Sequence, residues 1–562
     1  MAFAVLGVLF QFLFLGAIIF GVVKLFSGRR GERSAEEAPI GVKQFLQYGS
    51  LYAAVHVAAW GVAGVVALIR EDRVADSAGT PLALTVVGVP IVFFLGRWVW
   101  RSLSDPSERD GVFSLYVNVT VVTALVAVMV SAGILGYWLV GGGDYNGQAV
   151  GTLVAWTPVW GVHWWLWRRY RSDVSNLHVY VGSAAGLGTA AVFGGILIGY
   201  LMLRLLESGS DLTLTSIDDP AIGTWLVGLA VGAVVFAWYW VGIGMKEIRD
   251  TLWHAYVVLV GVLGGLIISV VGAGVGLFGL LQWWVGDPGK DSAVRHFEDF
   301  IPAAAALVVG LTVWWYHRRV LGPSRGARTE VQRVYDYAVA AVGLVTAIVG
   351  VVILVIGFQE AVFPPADSMT SEVDILLGAI TTLAVGVPLW AQAWLRTNRY
   401  VTAGPAEAAS PTRRSYLLAV MGISGVVAAI SLLVLLVTVF NDLLGEGGGR
   451  LRDDIQVPIA LLATVGAVAV YHLLVFREEK GVVESVPVER PKQILLVTDD
   501  EVLATVIRDL TGARVTVMHR LDANGEPADA GAVARAIREA EAEHLLVVPG
   551  PGEAVQVIPY QR

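Results

Sequence analysis

WTPVWGVHWWLWRRYR, residues 156–171, is the stretch on which the reading of this chain turns. An apolar segment carrying Pro158 runs into His163, Trp164, Trp165 and Trp167, and then directly into Arg168 and Arg169. Indole and phenol rings favour the headgroup level of a bilayer, and arginine just beyond them reaches lipid phosphates. The stretch therefore reads as the end of a helix arriving at a membrane face.

Moving outward, the same aromatic-then-basic ending is found five more times. Gly88-Val89-Pro90 leads to Arg97, Trp98, Trp100 and Arg101, and Gly386-Val387-Pro388 leads to Trp390, Trp394, Arg396 and Arg399. Without that proline, Trp238-Tyr239-Trp240 runs to Lys246, Trp314-Trp315-Tyr316-His317 to Arg318 and Arg319, and Tyr471-His472 to Arg477. Each such returning segment is preceded by a longer apolar segment with tyrosine near its start, at Tyr52, Tyr116, Tyr180, Tyr256, Tyr337 and Tyr416, spaced 64, 64, 76, 81 and 79 residues apart. Fixed-period self-similarity of this kind marks a repeat of one supersecondary unit. The unit here is a long helix going out, an acidic loop and a shorter helix coming back.

Composition agrees with lipid as the solvent. Of 562 residues 56% are hydrophobic and only 15% charged, against about 25% charged in soluble domains. Thirteen stretches reach the roughly 20 apolar residues that span a bilayer, from Phe3–Leu25 to Val457–Phe476. The expected architecture is an all-α polytopic membrane protein with a small carboxyl-terminal α/β domain. Residues 1–37 form an anchor and its loop, residues 38–480 six paired helices, residues 481–491 a linker, and residues 492–562 the soluble domain. Met1 to Leu25 lacks a basic leader and a small-residue cleavage site and reads as a retained anchor.

Charge sets the expected orientation. Loops and helix ends on one side hold 24 basic and 14 acidic residues, those on the other 7 basic and 20 acidic. The positive-inside rule then places the amino terminus outside and the soluble tail in the cytoplasm, the chain lying in the plasma membrane. Every Asp, Glu, Lys and Arg falls in a loop, at a helix end or in the tail, which argues against ion-coupled transporters, proton pumps and voltage sensors. Absence of cysteine excludes disulfides, thiolate metal sites and thiol nucleophiles.

Residue by residue, no catalytic group, metal site or cofactor emerges. Trp98, Trp100, Trp164, Trp165, Trp167, Trp238, Trp240, Trp314, Trp315 and Trp394 read as interfacial anchors. His178 and His254 occupy the slot of Tyr335 in a later unit, and His163, His317 and His472 sit among belt aromatics, so the histidines read as interfacial hydrogen-bonding groups. A bis-histidine haem is the competing reading, with His56 the one histidine outside the repeat pattern. Gly182/Gly186, Gly195/Gly199, Gly261/Gly265 and Gly272/Gly276 are small-residue faces for close helix packing. Acidic pairs such as Asp218–Asp219 and Asp453–Asp454 read as solvated.

In the tail, Ile494 to Thr498, Arg514 to His519, Leu545 to Val548 and Ala554 to Ile558 read as strands, the last two joined at Pro549-Gly550-Pro551-Gly552. Glu501 to Leu510 and Ala532 to Ala542 read as helices. Asp499 and Asp500 form an acidic cluster after the first strand, superficially similar to the start of a response-regulator receiver domain. The later aspartate and lysine of that family have no match, and helix capping accounts for the acids. No Walker loop, dinucleotide fingerprint or basic nucleic-acid face is present.

The tandem hairpins, tyrosine-bearing entries and aromatic-arginine exits resemble an uncharacterised prokaryotic family of multi-pass membrane proteins, classed only as a domain of unknown function. The resemblance covers roughly Gln47 to Lys480 and implies no activity. The expected role is a non-enzymatic scaffold or accessory subunit whose tail docks or regulates a partner. The expected partners are membrane lipids, a cytoplasmic or membrane protein, or a second copy in a homo-oligomer, and no nucleic acid. The alternative is a transporter or channel for a neutral or lipid-like molecule.

Overall fold

The computed structural model describes residues 37–70, 78–109, 111–208, 219–322, 329–362, 371–403, 405–445, 451–484, 491–498, 500–519, 529–540, 542–550 and 554–560. The anchor expected at Phe3–Leu25 and the residues Asp218 and Asp499 lie outside them. The chain divides into two compact units, Met1–Val331 with Ala341–Leu389, and Gln332–Ala340 with Trp390–Arg562.

Twelve long helices follow one another among the described residues: α1 Glu37–Ala67, α2 Gly79–Ser102, α3 Gly111–Leu139, α4 Gly147–Arg169, α5 Leu177–Ser208, α6 Asp219–Phe236, α7 Thr251–Trp284, α8 Ile301–Leu321, α9 Glu330–Val362, α10 Glu372–Ala403, α11 Pro411–Leu443 and α12 Leu451–Glu484. Ten are long and apolar enough to cross a membrane. The exceptions are α4 and α8, whose tryptophan-, histidine- and arginine-rich second halves lower their mean hydropathy. They are nevertheless continuous helices packed against their predecessors. Sequence neighbours pair as α1 with α2, α3 with α4, α5 with α6, α7 with α8 and α11 with α12, and α1 also packs on α4 as α5 does on α8. Pro90, Pro158, Pro388 and Pro458 all lie inside helices that continue through them.

Glycine lets these backbones approach. A Cβ on Gly186 would lie 2.4 Å from the Phe236 amide nitrogen, and one on Gly265 2.5 Å from that of Trp314, so neither position accepts a side chain without the helices moving apart. In α9 and α10 the same device places Gly386 against Ala347 and Gly350 against Leu383. Two helices also change winding: Ala237–Val241 continues α6 as a π-helix, and Tyr256–Gly264 within α7 is π-helical.

The tail is a four-stranded sheet of order β2-β1-β3-β4, with β1 Gln493–Val497, β2 Arg514–Met518, β3 His544–Pro549 and β4 Val555–Pro559. Strand β1 is parallel to β2 and β3, and β3 and β4 are antiparallel through the Pro-Gly turn. Two helices, α13 Glu501–Thr511 and α14 Ala530–Glu539, alternate with the strands. Ile494, Leu496, Val515, Leu545 and Val547 form one core with Leu503, Ile507, Val533 and Ile537 of those helices. The elements lie within about two residues of the sequence reading, because period-two alternation against helical spacing is unambiguous in so small a domain.

Candidate functional site

Polar side chains buried among the helices are the strongest candidates for function, since each must be satisfied within the protein. In the first unit Tyr48 of α1 stacks on Tyr116 of α3, ring centroids 5.5 Å apart. The Tyr116 hydroxyl meets His163 Nε2 of α4 at 2.8 Å, and His163 Nδ1 lies 2.8 Å from the Val159 carbonyl one turn earlier. A carbonyl only accepts, so Nδ1 carries the proton, and the Nε2 lone pair of the neutral ring accepts from tyrosine. Both ring nitrogens are thereby occupied.

The arrangement recurs between α5 and α8. Tyr180 stacks on Tyr256 at 6.0 Å, the Tyr256 hydroxyl faces His317 Nε2 at 3.4 Å, and His317 Nδ1 bonds the Val313 carbonyl at 2.9 Å. Here Trp240, fully buried, packs 4.6 Å from Tyr256 and donates its indole N–H to the Tyr316 hydroxyl at 3.0 Å. Trp240 and Tyr256 lie on the two π-helical segments, which turn both rings into this cluster.

In the second unit Tyr337 faces Tyr416 at 5.0 Å, and His472 Nδ1 bonds the Val468 carbonyl at 2.8 Å. Trp394 packs on Tyr416 and His472 and donates to the Tyr471 hydroxyl at 2.8 Å. Beside them is Arg413, near the start of α11 and only 1% exposed. Its Nε donates to Glu479 Oε2 at 2.7 Å and its Nη2 to the other oxygen of that carboxylate, a two-pronged pairing that matches the guanidinium fork. The remaining donors reach the Tyr337 hydroxyl at 2.9 Å and Asn398 Oδ1 at 3.0 Å. The Tyr337 hydroxyl in turn donates a hydrogen bond to Glu407 Oε1 at 2.9 Å, and Arg333 Nε donates to the other oxygen of Glu407 at 2.9 Å. Carboxylates and guanidinium groups neutralise one another here, so the cluster ties helix ends together and presents no open acid or base.

Several sequence-level readings change at this level. Charges do sit at helix ends, yet Arg413, Glu407, Glu479 and Asp336 are buried in protein. Of the arginines expected to reach lipid phosphate, Arg396 instead pairs with Asp336; two further arginines, Arg171 and Arg109, pair with Glu247 and Asp173. The tryptophans separate into two rows. Trp98, Trp100, Trp165, Trp238 and Trp315 are about half exposed on the outside of the helices, and Trp164 and Trp314 are intermediate. Trp167, Trp240 and Trp394 turn inward and are buried. Arg319 lies 4.0 Å over the outer Trp315 ring.

The histidines are internal rather than interfacial, with the exception of His254. His178 is fully buried, and its backbone N–H and Nδ1 both use Asn118 Oδ1, at 2.7 and 2.9 Å. His56 is held by the Tyr52 carbonyl at 2.9 Å and by the Trp156 ring. Tyr48, not Tyr52, belongs to the stacked row; the Tyr52 hydroxyl goes to Thr123. A residue that fills an inward slot is apolar-aromatic in composition like a belt residue, so sequence did not separate the two. Spacing alone carried the signal, since Trp240, His317, Trp394 and His472 follow at 77, 77 and 78 residues. In the tail, Asp500 Oδ1 accepts from the Leu503 amide at 3.1 Å and so caps α13. Among the described residues no three His, Asp or Glu side chains come together as metal ligands.

Residues 44–145 and 333–467 match one family model, described as a domain of unknown function, DUF5671. Both stretches are similar to that uncharacterised family. The first runs from α1 to the loop before α4 and includes Tyr48 and Tyr116. The second runs from α9 into α12 and includes Tyr337, Trp394, Arg413 and Tyr416. No curated protein and no solved structure matches the chain.

Proposed function

We propose that the chain is a non-enzymatic integral membrane protein of the bacterial inner membrane, a scaffold or accessory subunit built from three four-helix modules. The modules are α1 to α4, α5 to α8 and α9 to α12; each is two hairpins joined through a close tyrosine pair, stacked in the first two and tilted in the third, and a histidine. With the anchor at Phe3–Leu25 this makes thirteen spans, amino terminus outside and tail in the cytoplasm. The recurrence of the tyrosine–histidine contact, and the alignment of the two family matches with the first and third modules, support the repeat. The bias of 24 basic residues on one side against 7 on the other supports the orientation. An impermeant thiol reagent checks it: in intact cells a cysteine at Gly143 reacts and one at Ser324 does not, and the opposite result reverses the topology.

The observation that carries the scaffold role is the tail's asymmetric sheet. Its helices cover one face, while Leu495, Val497, Leu546 and Val548 alternate onto the other, half-buried beside exposed Met518 and Ile558. An apolar sheet face beside a closed core is the form of a protein-docking surface. Mass spectrometry of proteins co-purifying in mild detergent tests the role. One partner is expected to be lost both on truncation after Lys480 and in Ile558→Asp, while the helix bundle stays monodisperse. A partner set unchanged in both variants overturns the reading. A second reading, carriage of a neutral or lipid-like molecule, is favoured by a cavity in the second module.

A further inference from the structure

A cavity of about 570 Å³ opens between α5, α6, α7 and α8, within the first unit, and is lined mostly by apolar side chains. Its size falls in the range of small-molecule sites, about 300–1,000 Å³. Gly195 and Gly199 form one wall, and Ile268 and Val309 face them. These two glycines differ from Gly182 and Gly186 earlier in α5. A Cβ on Gly182 or Gly186 would collide with Tyr239 or Phe236 at 2.6 and 2.4 Å, whereas one on Gly195 meets its nearest neighbour at 3.7 Å and one on Gly199 at 3.5 Å. The first pair of glycines brings helices together, and the second pair keeps them apart. The groove is open along the outside of the helices, where Val192, Ile196 and Ile268 of its lining are exposed, so a chain can enter it sideways.

Polar groups collect at one rim, where Tyr200, Trp225 and Glu298 line the cavity. The cation nearest to them is already engaged: Arg204 Nε donates to the Tyr200 hydroxyl at 3.0 Å, and its Nη1 pairs with Glu207 at 2.9 Å. The Glu298 carboxylate at this rim is an acceptor and repels an anionic head group. A hydroxyl would donate to that carboxylate, and the apolar walls would take a hydrocarbon chain.

We propose that this cavity binds one hydrocarbon chain of a neutral, hydroxyl-ended lipid, taken up sideways from the bilayer with its hydroxyl at the Tyr200–Glu298 rim. The inference rests on the membrane reading and names the ligand class for the carriage role.

Photocrosslinking of the full chain in phosphatidylethanolamine–phosphatidylglycerol vesicles tests it, with a diazirine-bearing monoacylglycerol as the probe. Labelling is expected to concentrate on residues 191–203 and 301–309, to saturate, and to be competed by unlabelled monoacylglycerol. Gly195→Leu and Gly199→Leu fill the space with side chain and displace several methylenes of the probe. At about 0.8 kcal/mol per buried methylene, labelling falls more than about tenfold in a protein that stays folded. Labelling that never saturates, or that spreads equally over the outward residues Phe93 and Phe94 of α2, overturns the site. A diazirine fatty acid that labels as strongly as the monoacylglycerol overturns the hydroxyl preference. Should both leucine variants misfold, competition in the unmodified chain still decides. A chain recovered in the aqueous phase after detergent partitioning refutes the membrane reading itself, whereas one that enters vesicles without saturable labelling refutes the cavity alone.

Discussion

Tyr116–His163 in the first module and Arg413–Glu479 in the third solve one problem by different chemistry. Each lies where a long helix meets the returning helix of its own module, and each buries polar groups that water would otherwise satisfy. The first uses neutral groups, one hydrogen bond between side chains and one to a backbone carbonyl. The other keeps a tilted tyrosine pair and a histidine but adds a guanidinium, two carboxylates and an asparagine. The neutral pair costs little to bury and contributes little when made. The ionic cluster is costly to assemble and far more costly to leave incomplete.

That difference orders the expected effects. Arg413→Ala leaves Glu479 buried without its guanidinium partner and takes a donor from the Tyr337 hydroxyl, and a loss of about 3–5 kcal/mol is expected, seen as collapse of monodisperse protein in detergent. The paired change Arg413→Met with Glu479→Leu removes both charges and regains most of that loss. Thermal unfolding of the single and double variants measures both; an Arg413→Ala protein as stable as its parent would show that the cluster is solvated. Arg413→Lys falls between, since an ammonium keeps the charge but cannot span the carboxylate while reaching Tyr337 and Asn398.

Tyr116→Phe removes one buried donor and leaves His163 Nε2 unpaired, for an expected loss of about 1–3 kcal/mol. Tyr256→Phe should cost less, because its contact with His317 is 3.4 Å against 2.8 Å. Equal losses in these two variants would mean that the longer contact closes in the membrane. His178→Tyr is expected to destabilise rather than to be neutral, as a larger ring must enter a fully buried site and forgo the bond to Asn118.

What could be read in advance follows from the same contrast. An outward helix surface imposes a coarse requirement, a long apolar run with an aromatic-basic end, and sequence states it directly at the half-exposed Trp98, Trp165 and Trp315. Inward contacts depend on which turn of one helix meets which turn of another. Trp165 and Trp167 stand two residues apart in the same motif, yet one faces out and the other is buried. Nothing in composition distinguishes Tyr48 from Tyr52, and only packing shows which stacks on Tyr116. The Arg413 cluster unites residues from 333 to 479, each unremarkable as a helix-end charge. The tail was legible because its strands and helices differ in period, and its register follows from which residues alternate inward.

The smallest expected effect comes from an ion pair that shares the chemistry of Arg413–Glu479 but not its burial. On the tail, Lys492 Nζ lies 2.7 Å from Glu543 Oε1, with side chains 62% and 45% exposed. The hydrogen bond from Lys492 holds the Glu543 carboxyl below its ordinary value of 4.5. Because the folded form binds its proton less readily than the unfolded chain, the pair's contribution is complete above the unfolded carboxyl value. It is lost as pH falls through the lower folded one. Exposure and salt screening keep that contribution small. Carbon-13 titration of glutamate carboxyls in the full chain reads it directly. The Glu543 midpoint should lie below ordinary glutamate, return towards it in Lys492→Met, and move the same way on raising salt, while global stability above pH 5 stays nearly unchanged. A midpoint insensitive to both lysine removal and salt would show that a fixed backbone environment sets the shift. The contrast between exposed and buried ion pairs in this chain would then need a cause other than solvent.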